Sequence, residues 1–260
     1  MQDIRFWKVE AAGNDFVMID YRKPFYKGRL ADLAVLLTNR RLGIGADGVI
    51  FIKNVTGADF YMAYYNADGS GPVMCGNGGR AALFFVAESN INRKSHYHFL
   101  TSDGPHDGQF RNGQAALTIK YPSKFEKVVL DFEAAYLVNT GVPHMVRFVE
   151  AVDKVEIFAD SPELRRIYDA NINYIEKVKN DFWKIRTYER GVEDETLACG
   201  TGAAASATTI HRLFQQDFPI SLQARGGTLK IDSDNDSLWL SGPVRKVFEG
   251  TFHWTRNGVR

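Results

Sequence analysis

Cysteine is nearly absent from this chain, which has only Cys75 and Cys199 among its 260 residues. Two thiols cannot complete a structural zinc site unaided, and neither Cys-x-x-Cys nor His-x-x-x-His occurs, so no metal is expected. In a reducing compartment a disulfide is a poor default as well. Long apolar runs are missing too. None approaches the roughly 18 to 20 residues of a membrane span, and the opening MQDIRFWKVEAAGNDF lacks the basic-then-apolar layout of a signal peptide. A membrane role is thereby excluded, and a cytoplasmic location is expected. Nor does charge of one sign dominate. Lys plus Arg number 32 against 31 for Asp plus Glu, and a net charge of +1 offers no broad field for nucleic acid or an acidic membrane surface. The expected partner is a small molecule.

What the chain has is the composition of an ordinary globular protein, 45% apolar and 24% charged, with material for one domain or two. By count alone its cysteines read as buried small apolar residues, since free cysteine is among the most buried residue types. Their surroundings point elsewhere. Cys75 opens CGNGGRAALFFVAES and Cys199 opens CGTGAAASATTIHRLF, each a Gly-rich turn leading into apolar sequence with helical spacing. Each thiol is therefore predicted at a helix N-terminus. A strand-like run and a polar turn precede both, ADFYMAYYNADGSGPVM for the first and NDFWKIRTYERGVEDETLA for the second.

The two stretches superimpose. Asp59-Phe60 matches Asp181-Phe182 and Gly69 matches Gly191, both at an offset of 122 residues, and the cysteines are 124 apart. Gly13 in AAGNDFVMID lies 128 residues before Gly141 in NTGVPHMVRFV. Near-equal offsets of this length indicate a duplicated domain rather than a solenoid repeat. Two halves of similar topology are expected, 1–121 and 122–247, with a hinge near Tyr121-Pro122-Ser123. Strand candidates outnumber helices: RFWKVEA, GVIFIKN, AALTIKYP, KVVLDF, GTLKID and SLWLSGP. Helices are predicted over 30–41, after each cysteine, and over 162–168. The fold class is α+β, with mostly antiparallel sheets around a few helices. No low-complexity tract or charge run suggests disorder.

A helix N-terminus presents unpaired N–H groups and partial positive charge, so it favours an anion and draws a thiol toward thiolate near neutral pH. The Gly-Asn-Gly and Gly-Thr-Gly turns allow backbone amides close to a ligand, and a carboxylate is the kind of anion such a nest holds. Inverting a stereocentre without a cofactor needs one group to take a proton from one face and another to give one to the opposite face. Two equivalent thiols suit that task, because the product reverses which of them is protonated. The same helix ends would stabilise carbanion charge developing beside the carboxylate.

In order along the chain, AGNDF, GIGADG, NADGS, MCGNGGR, ERG with ET shortly after, ACGTGA, and GG followed by LWLSGP resemble the diaminopimelate epimerases, from about Phe6 to Gly250. The resemblance implies two pseudo-symmetric domains, each a mostly antiparallel, barrel-like β layer around a central helix. A C-terminal strand from about 248–260 would join the first domain, and the site would lie in the cleft between the two. It further implies a homodimeric isomerase that interconverts LL- and meso-diaminopimelate in bacterial lysine and peptidoglycan synthesis, without pyridoxal phosphate or metal. Carried over residue by residue, the acid/base pair falls on Cys75 and Cys199. Substrate contacts fall on Asn14, Asn66, Gly76 with Asn77, Asn171, Glu189 with Arg190, and Gly200 with Thr201. His144 and Glu189 match residues that orient the thiols and their protons. Read from chemistry alone, Asn14 and Asn66 serve equally as turn residues, His144 as a satisfied loop histidine, and Glu189-Arg190 as a solvated pair.

Three departures stand out. The usual Gly-Asn-Pro-His reads Gly141-Val142-Pro143-His144, ERGVEDET is one residue longer than the commoner ERG-x-GET, and Gly71 replaces a Glu that often follows NADGS. Val142 motivates one alternative, a related cofactor-free racemase for another amino acid, because diaminopimelate's second amino-acid head needs polar partners. Asn77 argues against a proline racemase-like relative, which typically has His there. A non-catalytic amino-acid binder on the same fold is the other alternative, and binding alone has no need of two thiols.

Overall fold

The structure, a computed structural model, describes residues 2–130, 133–179, 182–234 and 237–254. The backbone divides into two compact units. One combines the residues up to Leu117 with the segment from Val244 onward, and the other runs from Thr118 to Pro243.

In the first unit, β1 (Gln2–Ala11) and β2 (Asn14–Asp20) form an antiparallel hairpin, turned at Ala12 and Gly13 with φ of 52° and 92°. Helix α1 (Leu30–Thr38) leads to β3 (Gly48–Lys53), parallel to β2, and β4 (Phe60–Asn66) returns antiparallel to β3. After α2 (Gly76–Glu88), β5 (His96–Thr101) runs parallel to β4. A meander through β6 (Gly104–Arg111) and β7 (Gln114–Ile119) follows.

The second unit opens with the hairpin β8 (Lys124–Leu130) and β9 (Glu133–Asn139). Next come β10 (Pro143–Phe148), α3 (Ile157–Tyr168), β11 (Asn171–Lys179) parallel to β10, and β12 (Phe182–Glu189) antiparallel to β11. The short β13 (Asp194–Thr196) pairs back on β12 and leads to α4 (Gly200–Phe214). Then β14 (Ile220–Ala224) runs parallel to β12, and β15 (Gly227–Ser233) and β16 (Leu238–Gly242) close the meander. Finally β17 (Arg245–Trp254) joins the first unit by pairing antiparallel with β1.

The series from β1 through α1 and α2 to β7 is thus repeated, strand for strand, from β9 through α3 and α4 to β16, with β13 inserted. Each unit is α+β and mostly antiparallel, and each sheet wraps one helix. In the first unit α2 touches β1, β2, β3, β4 and β6, and in the second α4 touches β9, β10, β11, β14, β15 and β16. A helix enclosed this way must be slim. Nearly all of α2 from Asn77 to Ala87 and α4 from Gly200 to Ile210 is buried; α4 is almost wholly Gly, Ala, Ser and Thr there, and α2 is mostly Gly and Ala as far as Ala82. Helices α1 and α3 cover the outer faces. Leu33 and Leu37 of α1 pack with Val17, Ile19 and Phe51, while Ile157 of α3 packs with Ile172, Tyr174 and Tyr188. Strands β3 and β11 are consequently covered on both faces. Five successive positions are buried in each, in GVIFI and in NINYI, instead of the alternation of a one-sided strand.

Two helices differ from expectation in their limits. The first ends at Thr38 rather than Arg41, because the Asn39 side chain accepts from the Arg41 and Leu42 amides and opens a turn. The third starts at Ile157 rather than Pro162. Buried Ile157 anchors an earlier turn, so Pro162 lies inside the helix instead of opening it. Of the matched segments, Asp181 lies outside the described residues, as do Asp131 and Phe132 of KVVLDF and residues 255–260 of the expected last strand.

Strand β17 covers the long edge of β1, whose Ile4 and Phe6 are buried, and Phe248 meets Phe6 edge-on at 5.8 Å. A chain ended at Pro243 exposes that apolar edge, so we expect it to aggregate. Soluble yield and thermal midpoint read the outcome, and an unchanged midpoint in a soluble truncated chain would overturn it.

Candidate active site

Both cysteines are helix N-caps in extended conformation, Cys75 at φ −140° and ψ 122° and Cys199 at φ −115° and ψ 114°. Each sulfur accepts from the backbone amide three residues on, Gly78 N and Gly202 N, at 3.4 Å in both cases. A sulfur in the place usually held by Ser or Asp satisfies one orphan amide of the first turn, and it lies at the positive end of the helix dipole. Cys75 is half-buried and Cys199 is buried.

The other expected residues of the first unit are Asn14, Asn66, Gly76 and Asn77. Asn14 and Asn77 are brought together in a polar chain of one sense. Arg80 Nη2 donates to Asn77 Oδ1 at 2.8 Å, Asn77 Nδ2 donates to Asn14 Oδ1, and Asn14 Nδ2 donates to Asp47 Oδ2 at 3.2 Å. A cation thus stands at one end and a carboxylate at the other. The carboxylate end is braced by Arg40, which bonds both Asp15 and Asp47, and by the Lys8–Asp15 ion pair at 2.8 Å. Burial alone would push Asp15 up, but its bonds to Arg40 and Lys8 outweigh this and bring it down to about 2. Asn66 is not part of the chain. It ends β4, and its side chain donates to Ser70 Oγ at 2.9 Å.

In the second unit the expected residues are His144, Asn171, Glu189, Arg190, Cys199, Gly200 and Thr201. Asn171 donates to the Pro143 carbonyl at 3.0 Å and accepts from the Arg190 amide at 2.9 Å, tying β10 to the end of β12. Thr201 Oγ1 lies 3.5 Å from the Cys199 sulfur. The half-buried Glu189 accepts from Thr196 at 2.8 Å. Desolvation pushes its carboxyl up, partly opposed by that bond. Arg190 turns its guanidinium to Asp169, at 2.8 Å.

His144 is fully buried at the second position of β10. Asn173 connects it to the Cys199 helix. The Asn173 amide donates to the Met145 carbonyl at 2.9 Å and faces His144 Nδ1 at 3.2 Å, so Nδ1 accepts and the ring proton belongs on Nε2. Nε2 is buried and has no hydrogen-bond partner among the described residues. Desolvation, aided by the Arg190 charge, pushes this imidazole down to about 3, so it is neutral at physiological pH. On the other side of Asn173, Oδ1 accepts from Thr187 at 3.0 Å and lies against Gly202, where an added Cβ would come within 2.3 Å of it.

Sequence reasoning missed Asn173 and Arg80. Asn173 shares the inner face of β11 with Asn171 while Ile172 and Tyr174 face α3, so the period of two around an already selected Asn171 was the available signal. Arg80 was quoted within MCGNGGR but not singled out. A charged residue amid the small apolar residues of a buried helix was its signal.

A slim helix sheathed by a largely antiparallel sheet, present twice in one chain, defines a class of fold seen in solved structures. A phenazine biosynthesis protein of the PhzF family from Enterococcus faecalis superposes with a TM-score of 0.79 at 14% identity, over 97% of this chain and 100% of that one. A hydroxyproline epimerase from Agrobacterium vitis gives 0.67 at 13% identity, over 96% and 92%. In sequence, the family model described as diaminopimelate epimerase matches residues 6–121 and 136–247. The diaminopimelate epimerase of Flavobacterium psychrophilum is 36% identical over 260 residues, spanning 95% of this chain and 100% of its own. That of Nitratiruptor sp. is 39% identical over 249 residues, spanning 93% and 96%. The chain belongs to the diaminopimelate epimerase family.

Two predictions follow from this geometry. Gly202→Ala drives a Cβ into Asn173 and should cost about 1–3 kcal/mol, whereas Gly78→Ala meets nothing nearer than the Ile50 side-chain end, 3.2 Å away, and should cost less. Urea midpoints rank the two, and equal losses would refute the Asn173 contact. His144 takes up a proton near pH 6.5 when unfolded but only near 3 when folded, so its stability contribution is present above 6.5 and lost as pH falls. His144→Gln should therefore narrow the stability difference between pH 7 and pH 5 by about 2 kcal/mol. An unchanged difference would count against a buried neutral imidazole.

Proposed function

We propose that this protein interconverts LL- and meso-2,6-diaminopimelate without a cofactor, using Cys75 and Cys199 as the acid/base pair. The observation that carries the reading is the pair of matched sulfur caps, one on each of two repeat-equivalent helices, each accepting from a glycine amide at 3.4 Å. Membership of the family supplies the substrate. In the forward step one thiolate takes the α-hydrogen as a proton and becomes a thiol, and the electron pair left on carbon spreads into the substrate carboxylate. The other thiol then gives its proton to the opposite face and becomes the thiolate. The charge has moved from one sulfur to the other, so the enzyme after one turnover is set for the reverse direction.

The family resemblance gives the supporting groups, and their surroundings support those roles. First-turn amides beside each cysteine stabilise carboxylate charge as it grows. Asn14 and Asn77, joined to each other, and Asn171 recognise the substrate's amino-acid ends. His144 offers a buried Nε2–H that no described residue accepts. Glu189, shifted toward the protonated form, serves Cys199's proton, and Arg190 exchanges Asp169 for a substrate carboxylate. On this reading the protein is a cytoplasmic homodimer of bacterial lysine and peptidoglycan precursor synthesis, with each chain comprising two catalytic domains.

Val142 favours a second reading. It is half-buried in the turn before His144 and offers no side-chain hydrogen bond where a polar residue would meet the far amino-acid head, which suits a racemase of a different amino acid.

Turnover of LL-diaminopimelate in deuterated water by the purified protein, without added cofactor, separates the readings. Label at its α-carbon supports the epimerase, label only in another amino acid supports the second reading, and binding without label would leave a binder. Cys75→Ala and Cys199→Ala should each lower epimerisation by at least about 10²–10⁴-fold while keeping the fold. Full activity in either variant would sink the two-thiol mechanism.

A further inference from the structure

Strand register brings three buried positions of the two units into correspondence. In the first unit Phe16 pairs with Gly48 and Met18 with Ile50 across β2 and β3, and Ile50 lies opposite Tyr64 on β4. In the second, His144 pairs with Asn171 and Val146 with Asn173 across β10 and β11, and Asn173 lies opposite Thr187 on β12. Phe16, Ile50 and Tyr64 therefore hold the places of His144, Asn173 and Thr187, and all six are buried. In each unit this set reaches the glycine whose amide donates to the cysteine sulfur. An added Cβ on Gly78 would stand 3.2 Å from Ile50 Cδ1 and 3.7 Å from Phe16 Cε1, and one on Gly202 would run into Asn173 Oδ1.

The first unit fills the place by packing, with Phe16 edge-on to Tyr64 at 5.7 Å. The fold can thus close around the cap with an aromatic ring and an isoleucine where the second unit has His144 and Asn173. The polar set is the costlier choice. It leaves His144 Nε2 buried with no hydrogen-bond partner among the described residues, and an unmet buried donor costs about 1–3 kcal/mol. A cost that the other copy avoids at the same position points to a use in the site.

Asn173 controls what that use can be. Its Nδ2 donates to the Met145 carbonyl at 2.9 Å and lies 3.2 Å from His144 Nδ1, nearer than the Asn171 carbonyl at 3.4 Å. Its Oδ1 accepts from the Thr187 hydroxyl at 3.0 Å. Backbone carbonyls can only accept, so they and Thr187 fix which end of the amide faces the imidazole. Nδ1 meets an N–H and must accept. The ring is held without a second proton by its burial and by the Arg190 charge.

We propose that Asn173, oriented by Met145 and Thr187, is a positioning residue that holds His144 as a neutral Nε2–H donor and seats the Gly202 turn that caps Cys199. His144 is then a hydrogen-bond donor and not a base, because Nε2 already carries the proton and Nδ1 is engaged. This deepens the proposed function and rests on it for the place of His144 in the reaction. The state of the ring does not rest on it.

Nitrogen-15 NMR of the six histidine rings in the ligand-free protein reads that state, with His144→Gln identifying the signal. His144 should show a proton on Nε2 alone from pH 5 to pH 8, and Nδ1 should carry the shift of a hydrogen-bonded acceptor. Asn173→Asp sets an oxygen opposite Nδ1 and should bring a proton onto Nδ1. Asn173→Leu keeps the approximate shape without the donor, and should lower kcat for diaminopimelate about tenfold with little change in KM. A proton that stays on Nε2 alone in Asn173→Asp, or an unchanged kcat in Asn173→Leu, overturns the proposal. Should neither variant fold, the unaltered protein decides it, since a protonated Nδ1 or an Nδ1 with the shift of a free acceptor overturns it equally. Inactivity of the unaltered protein toward diaminopimelate, with the ring as expected, would count against the reaction and not against the assignment of Asn173.

Discussion

A helix sheathed by its own sheet needs a local acceptor for the amides of its first turn, and that constraint governs the rest of this molecule. The amides need an acceptor that is small enough to stand at the cap and to leave the helix slim. In both units the acceptor is a cysteine sulfur, on the Gly78 amide in one and the Gly202 amide in the other. The requirement for slimness explains the Gly and Ala run behind each cysteine, and the covering of β3 and β11 on both faces follows from the helices inside and outside the sheet. Structure and reactivity share one cause here. The helix end that needs the sulfur as its cap is also where the proposed acid/base groups stand.

The duplication makes the two sites alike in backbone and different in side chain. The first unit lines its cap with a directional amide chain running from Arg80 to Asp47. The second lines its cap with Asn173, held between His144 and Gly202. The first holds a buried cation, Arg80, and the second a buried neutral imidazole, His144.

Much of this was legible in the residues. The Gly-rich turns after the cysteines marked helix starts because glycine there signals close packing, and the near-equal offsets marked the repeat. Helix limits were less legible. The Asn39 side chain ended α1 earlier than its apolar spacing implied, and buried Ile157 extended α3 across a proline that reads as a beginning. The inner polar residues were hardest. Asn173 and Arg80 look like surface residues by type, and only the enclosing of β11 and α2 on every side turns them into parts of a site. Burial from two sides is a property of the assembled unit, which local sequence carries weakly.

The order of strands has a consequence for how such a chain came to be. By position, β17 follows β16 as β8 follows β7, yet β17 pairs with β1 while β8 pairs with β9. The chain therefore reads as a tandem repeat only if it is opened between Pro243 and Val244, which makes β17 the leading strand of the first copy just as β8 leads the second. Gln2 lies opposite Trp254 in that pairing, so a short bridge would close the circle. The present strand order is one permutation of a ring of two similar arcs, each opening on a strand that pairs with the next one along.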